Sequence, residues 1–140
     1  MDPRFRPGRP ATGWGLCGGA IEIVAGSLLP WAQVSDGFGY TISSSPTGGA
    51  PVSLMVLAAG AVAFGWPLLR GNALSRRRWL GLIVTAGLLA INIVAGWAII
   101  VHLQSEYGGA SITAGSGLFL STVGVVVMWV GVIRLWLARR

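Results

Sequence analysis

Four long apolar runs constrain this sequence more than any other feature. They cover about residues 13–34, 51–69, 79–103 and 117–137, and they carry almost no charge. A helix rises 1.5 Å per residue, so roughly 20 residues cross the ~30 Å hydrocarbon layer of a bilayer. Each run is long enough for that, and the sequence predicts an all-α membrane protein with four transmembrane spans.

The composition agrees with a lipid environment. Hydrophobic residues make up 54% of the 140 residues and charged residues only 10%, whereas a soluble domain carries about 25% charged residues. A soluble chain of this size could not bury so much apolar surface. The net charge of +6 could indicate nucleic acid, but the basic residues lie in short clusters beside the apolar runs, and the chain has too little polar surface for a nucleic-acid interface. We therefore expect the lipid bilayer as the partner and no nucleic acid.

The basic residues are all arginines, and their positions predict an orientation. They lie before the first run, in the central connection 70–78, and around the end of the last run. The other two connections contain none and carry Asp36 and Glu106 instead. Because cytoplasmic margins collect positive charge, we expect a multi-pass protein of the cytoplasmic membrane with both termini in the cytoplasm.

The chain divides into one transmembrane domain and two short tails. Residues 1–12 are rich in proline and arginine, so we expect a disordered cytoplasmic tail. Residues 13–137 form the transmembrane domain, and residues 138–140 a second cytoplasmic tail. The first run could be a cleaved signal peptide, but cleavage after Ala32 would place Pro30 where a small residue is required. We expect this run to be retained as a helix.

Small residues recur at heptad-like spacing in every run. Such seams allow helix backbones to approach closely in lipid and favour left-handed crossing near +20°. The sequence therefore predicts a compact antiparallel four-helix bundle. The seam residues, run by run, are Gly15, Gly19, Glu22 and Gly26; Ala58, Ala61 and Gly65; Gly81, Thr85, Asn92 and Gly96; Gly117, Ser121, Gly124, Met128 and Gly131.

Glu22 is the only acidic residue in any run. A bare carboxylate inside a membrane is costly and is often functional, so Glu22 is either a proton- or cation-binding group or a polar link between helices. Asn92, Ser121 and Thr122 are its candidate partners. By helical rise these three lie at similar depths and can meet one another, with Glu22 about two turns nearer the cytoplasm unless the first span begins deeper. For the three, interhelical hydrogen bonds of about 0.6 to 2 kcal/mol are the favoured interpretation.

Other chemistry-bearing patterns are lacking. The sequence has one cysteine and one histidine, too few for a Cys/His metal cluster. There is no Gly-rich phosphate loop after a strand, and no nucleophile with an accompanying base. We expect no metal, no cofactor and no enzymatic activity.

Two resemblances add to this interpretation. The segment 25–31 (AGSLLPW), the Arg-rich central turn and the segment 115–120 (GSGLFL) resemble the uncharacterised small four-span membrane proteins of high-GC Gram-positive bacteria, which implies no known activity. The segment 18–22 (GGAIE), followed by Gly26, is similar to the first helix of small multidrug resistance transporters. That second resemblance implies Glu22 as the shared proton and cationic-drug site of a dimer.

The sequence thus leads to two functional hypotheses. The first is a non-enzymatic accessory or assembly partner in the bacterial cytoplasmic membrane, with glycine-lined faces that make homo-oligomer or hetero-oligomer contacts. The second is a small proton-coupled transporter of cationic compounds that uses Glu22.

Overall fold

A computed structural model of the chain describes residues 9–35, 41–44, 50–107 and 111–138. Within these residues the structure is mostly helical, as predicted. The four helices are α1 (Arg9–Leu28), α2 (Ala50–Leu69), α3 (Arg76–Glu106) and α4 (Ser116–Leu137).

Three of these helices are long and apolar enough to cross a bilayer, namely α2 from Val52, α3 and α4. Large apolar side chains cover their outer surface; Val56 and Val94, for example, are 64% and 67% exposed. A soluble protein would bury such a surface, so the structure indicates a membrane-embedded protein. Helix α1 also has 20 residues, but glycines and Glu22 interrupt its apolar sequence.

The four helices pack side by side, and each contacts two others. Helix α1 lies between α2 and α4, and α3 contacts the same two helices from the other side. Consecutive helices run antiparallel, and so do α1 and α4. In each of these pairs the start of one helix lies beside the end of the other. The residue pairs that mark these contacts are Gly13 with Leu68, Phe64 with Gly81, Gly96 with Leu118, and Gly26 with Gly117.

The predicted seams largely coincide with the buried surfaces of the helices. Ala58, Ala61 and Met128 are no more than 1% exposed, and they pack with fully buried leucines such as Leu82 and Leu89. Gly15 is the exception, because a Cβ atom added there would meet nothing within 4 Å. The interior is therefore filled by small residues where helices approach and by leucines between them.

A small sheet corrects the all-α prediction. It contains β1 (Ala32–Ser35), β2 (Thr41–Ser44) and β3 (Ser111–Ala114), in the order β2-β1-β3 with antiparallel pairing throughout. The strands lie in the two connections that contain no arginine, before α2 and before α4. Local sequence could not reveal their pairing, because the partner strands β1 and β3 lie far apart in the chain.

The first apolar run is also shorter as a helix than predicted. It was expected to reach Val34, but α1 ends at Leu28 and β1 begins at Ala32. Pro30 explains the difference, because proline drives the preceding residue out of helical geometry. At the other end α1 begins at Arg9, so residues 9–12 are helical rather than disordered; Pro10 is compatible with a first helical turn. The predicted disorder of residues 1–8 lies outside the described residues.

The connection between α2 and α3 is a tight, hydrogen-bonded turn. The amides of Gly71 and Asn72 donate to the carbonyls of Leu68 and Pro67, at 3.0 and 2.9 Å, which is the Schellman arrangement. Gly71 has a φ of 73°, a left-handed conformation that favours glycine. Helix α3 then starts three residues before the predicted boundary, at Arg76, and extends to Glu106.

Candidate functional site

Glycines bring α1 and α4 into backbone contact, and this interface contains Glu22. A Cβ atom on Gly19 would lie 2.6 Å from the carbonyl oxygen of Gly124, and a Cβ atom on Gly26 would lie 2.6 Å from that of Gly117. Gly19 and Gly26 are seven residues apart on α1, and Gly117 and Gly124 are seven residues apart on α4. Side chains larger than hydrogen would separate these backbones, so the heptad spacing of glycine sets the distance between α1 and α4.

Glu22 lies at the edge of this interface. Its Cβ atom would be 3.0 Å from a Cβ atom placed on Gly124. The side chain as a whole is half-buried, but its Oε2 atom is enclosed, and no group in the described part of the chain donates a hydrogen bond to it. The carboxyl group is therefore held between two helices rather than in an open cavity.

Ser121 faces α1 from the other side of the interface. It is fully buried, its Oγ atom contacts the position of Gly26, and that oxygen also lacks a hydrogen-bond partner among the described residues. Gly26 is one helical turn from Glu22. A serine hydroxyl donates and a carboxylate accepts, so the two side chains have complementary chemistry at neighbouring positions of one interface.

This placement corrects the predicted depths. Glu22 was expected about two turns nearer the cytoplasm than Ser121. Glu22 packs against Gly124, three residues beyond Ser121 on α4, so the two lie within about one turn of each other. The difference arises because α1 begins and ends earlier in the chain than predicted.

Thr122 and Asn92 have different partners from those expected. The indole nitrogen of Trp97 donates to Thr122 Oγ1 at 3.0 Å, and the Trp97 ring meets Phe119 edge-on at 5.1 Å between centroids. Asn92 Nδ2 donates to the carbonyl of Leu88 on its own helix, at 2.8 Å. The α3–α4 link is therefore a Trp–Thr hydrogen bond, and the predicted meeting of Asn92 with the α4 hydroxyls is not observed.

Sequence reasoning also missed the role of Trp31. Its indole nitrogen donates to the carbonyl of Gly26 at 2.9 Å. Its ring lies against Gly96 and Gly117, so it connects the start of the sheet to three helices. The only signal in the sequence for this contact was the presence of Gly96 and Gly117, which leave room for a large ring from another segment.

The two ends of the helical domain differ in charge. Arg9, Arg70, Arg134 and the triplet 76–78 all lie at the end formed by the starts of α1 and α3 and the ends of α2 and α4. We call this the arginine end. The sheet lies at the opposite end, where the amides of Gly115 and Gly117 donate to the carbonyls of Trp31 and Pro30.

The ligating groups of the described residues are dispersed. No three His, Cys, Asp or Glu side chains in the described ranges lie close enough together to hold a metal ion. His102 and Glu106 form an exposed pair at 3.5 Å near the sheet end, far from the α1–α4 interface. The polar groups with the most unusual environment are therefore Glu22 and Ser121.

Comparison with known proteins adds no relative. No protein-family model matches this chain, and no curated protein and no solved structure matches it either.

Proposed function

We propose that this chain is a four-span integral protein of the cytoplasmic membrane that serves as a non-enzymatic assembly partner for other membrane proteins or for further copies of itself. Its helices would form an antiparallel transmembrane bundle, with both termini and the arginine end in the cytoplasm and the sheet outside. The strongest support for this orientation is the gathering of every described arginine at one end, since positive charge collects on the cytoplasmic side.

We include α1 among the transmembrane spans because of the helices that it packs against. It lies between α2 and α4, and its 20 residues correspond to about 30 Å of helix, the thickness of the hydrocarbon layer. Leu16 and Ile23 on its inner side are buried to 1% and 0% exposure, while Trp14 and Ile21 on its outer side are exposed. Because α1 is packed between α2 and α4 in this way, we expect it to span the bilayer with them.

The assembly role rests on the outer surface of α1. Ala11, Gly15, Gly18, Glu22 and Ala25 follow one another at spacings of four and three residues, which places them on one helix face. We call this face the outer α1 seam. A Cβ atom on Gly15 or Gly18 would meet nothing within 4 Å, so no described helix is in contact with these two glycines, whereas Glu22 at the edge of the same face packs against Gly124 of α4. Small-residue seams are the surfaces on which transmembrane helices associate.

The test is affinity purification of the tagged chain in mild detergent. We expect a membrane-protein partner, or a second copy of the chain, at fixed stoichiometry. Gly18→Leu fills the outer α1 seam and should release that partner. Val94→Leu enlarges an exposed side chain on α3 and should not. A monomer without partner, or equal release by both variants, would contradict the proposal.

A proton-coupled transporter of cationic compounds is the second candidate. It is favoured by the enclosed Oε2 atom of Glu22, which has no donor among the described residues, and by the resemblance of the first helix to small multidrug resistance transporters. Uptake of a cationic dye by proteoliposomes under a proton gradient would distinguish the two. Transport that is lost in Glu22→Gln would favour this candidate, and absence of transport would exclude it.

A further inference from the structure

A cavity of about 450 Å³ lies at the arginine end, where α2 turns into α3. Trp66, Arg70, Asn72, Ser75 and Arg78 contribute to its walls, and all five are exposed. The cavity therefore opens at the surface, between the last turn of α2 and the first turn of α3.

The geometry of the turn fixes one arginine beside an aromatic ring. The guanidinium carbon of Arg70 lies 5.8 Å from the centroid of the Trp66 ring, within the range of a cation–π interaction. Arg70 precedes Gly71, whose hydrogen bond to Leu68 belongs to the Schellman turn. Indole rings prefer the headgroup region of a bilayer, so Trp66 places the Arg70 guanidinium at the depth of the lipid phosphates.

No carboxylate in the described part of the chain neutralises this cavity. The described carboxylates are those of Glu22 and Glu106, and neither lies at the arginine end. The arginines at positions 76–78 also occupy the first turn of α3, where the helix dipole disfavours positive side chains. The cavity thus combines guanidinium groups, the Ser75 hydroxyl that caps α3, and the positive end of that helix. A bound anion would relieve the repulsion between the guanidinium groups and the helix end.

We propose that this cavity binds the phosphate of an anionic phospholipid in the cytoplasmic leaflet. The inference rests on the orientation given above, which places the arginine end among cytoplasmic headgroups. Arg70 and Arg78 supply planar, multidentate donors that suit a phosphate, and Asn72 and Ser75 add polar groups at the rim. The acyl chains extend along the exposed apolar surface of α3, which begins at Leu80.

The experiment measures lipid binding to the purified full-length protein by native mass spectrometry, with phosphatidylglycerol and phosphatidylcholine as probes. The double variant Arg70→Gln/Arg78→Gln removes both cavity arginines. The control, Arg77→Gln/Arg134→Gln, removes two arginines of the same end that do not line the cavity. Because each cavity guanidinium loses its charge-assisted hydrogen bonds to the phosphate, the first variant should bind phosphatidylglycerol roughly thirty-fold more weakly. The control should change binding less than about three-fold.

Three results would overturn the proposal. Equal weakening in both double variants would mean that surface charge alone attracts the lipid. Equal binding of phosphatidylcholine by the unmodified protein would mean that the lipid's negative charge is not recognised. Displacement of phosphatidylglycerol by inorganic phosphate at a similar concentration would assign the cavity to free phosphate. Labelling of Asn72→Cys with a membrane-impermeant maleimide in intact cells reports the orientation separately, so failure of the proposed orientation and failure of lipid binding are distinguishable.

Discussion

Gly19 and Gly124 approach each other reciprocally: a Cβ atom on either residue would lie 2.6 Å from the other's carbonyl oxygen. No side chain fits between them, so the two backbones are in direct contact. Gly26 and Gly117 repeat this contact one heptad further toward the sheet. In lipid, where burial of apolar surface gives little drive for association, such close packing carries much of the interaction between helices.

Substitution of Gly19 by alanine should therefore destabilise the protein. The added methyl group forces α1 and α4 apart, and overpacking of this kind costs about 1 to 3 kcal/mol. Gly15→Ala is the matched control on the same helix, because its methyl group meets nothing within 4 Å. Unfolding by sodium dodecyl sulfate, followed by tryptophan fluorescence, measures both. Similar losses of stability for the two variants would contradict the packing described here.

The turn between α2 and α3 should depend on Gly71. Its φ of 73° is disfavoured by about 1 to 2 kcal/mol for residues with a Cβ atom. Gly71→Ala should lower the free energy of unfolding by about that amount, whereas Gly71→Asn should lower it less, because asparagine tolerates this conformation. The same unfolding assay tests the order of the two variants, and a smaller loss for alanine than for asparagine would refute it.

Ser121 and Thr122 are adjacent in sequence but should respond differently to loss of the hydroxyl. Thr122 accepts a hydrogen bond from Trp97, so Thr122→Val should cost about 0.6 to 2 kcal/mol. The Ser121 hydroxyl is buried without a partner among the described residues, so Ser121→Ala should be neutral or stabilising. A larger loss for Ser121→Ala would show that this hydroxyl is hydrogen-bonded.

Trp31 should stabilise the junction of the sheet with the helices. Trp31→Phe removes the hydrogen bond to the Gly26 carbonyl, which is worth about 0.5 to 1.5 kcal/mol, and leaves part of the space beside Gly96 unfilled. Trp14→Phe is the control, since Trp14 is 68% exposed and should change stability by less than about 0.5 kcal/mol. Equal effects would show that the Trp31 ring is not a structural contact.

Much of the helical part could be predicted from the sequence because apolar run length is a strong local signal. The start of α4 was placed within one residue, and α2 ends at Leu69 as expected, since Pro67 lies in its last turn. Glycine spacing also marked Gly19, Gly26, Gly117 and Gly124 as seam residues, although it did not show that α1 and α4 pair through them. These features depend on residues that are close together in the chain.

Features that depend on distant residues were missed. The sheet joins β1 to β3 across two helices, α2 and α3, and four-residue strands carry little periodicity of their own. Thr122 was predicted as a polar contact but its partner Trp97 was not, because helical rise indicated Asn92 as the polar residue of the third run at that depth. The apolar sequence continues past Leu28, so hydropathy predicted a longer first helix. Pro30 ends α1 earlier than that pattern indicates.

Labelling of single cysteines in intact cells tests the central claim, that the arginine end faces the cytoplasm and the sheet faces outward. Cys17 is the only cysteine, so Cys17→Ser provides a background for Gln33→Cys in β1 and Asn72→Cys in the α2–α3 turn, both at exposed positions. A membrane-impermeant maleimide should label Gln33→Cys in intact cells and Asn72→Cys only after permeabilisation. Labelling of Asn72→Cys in intact cells, or failure to label Gln33→Cys there, would contradict the account.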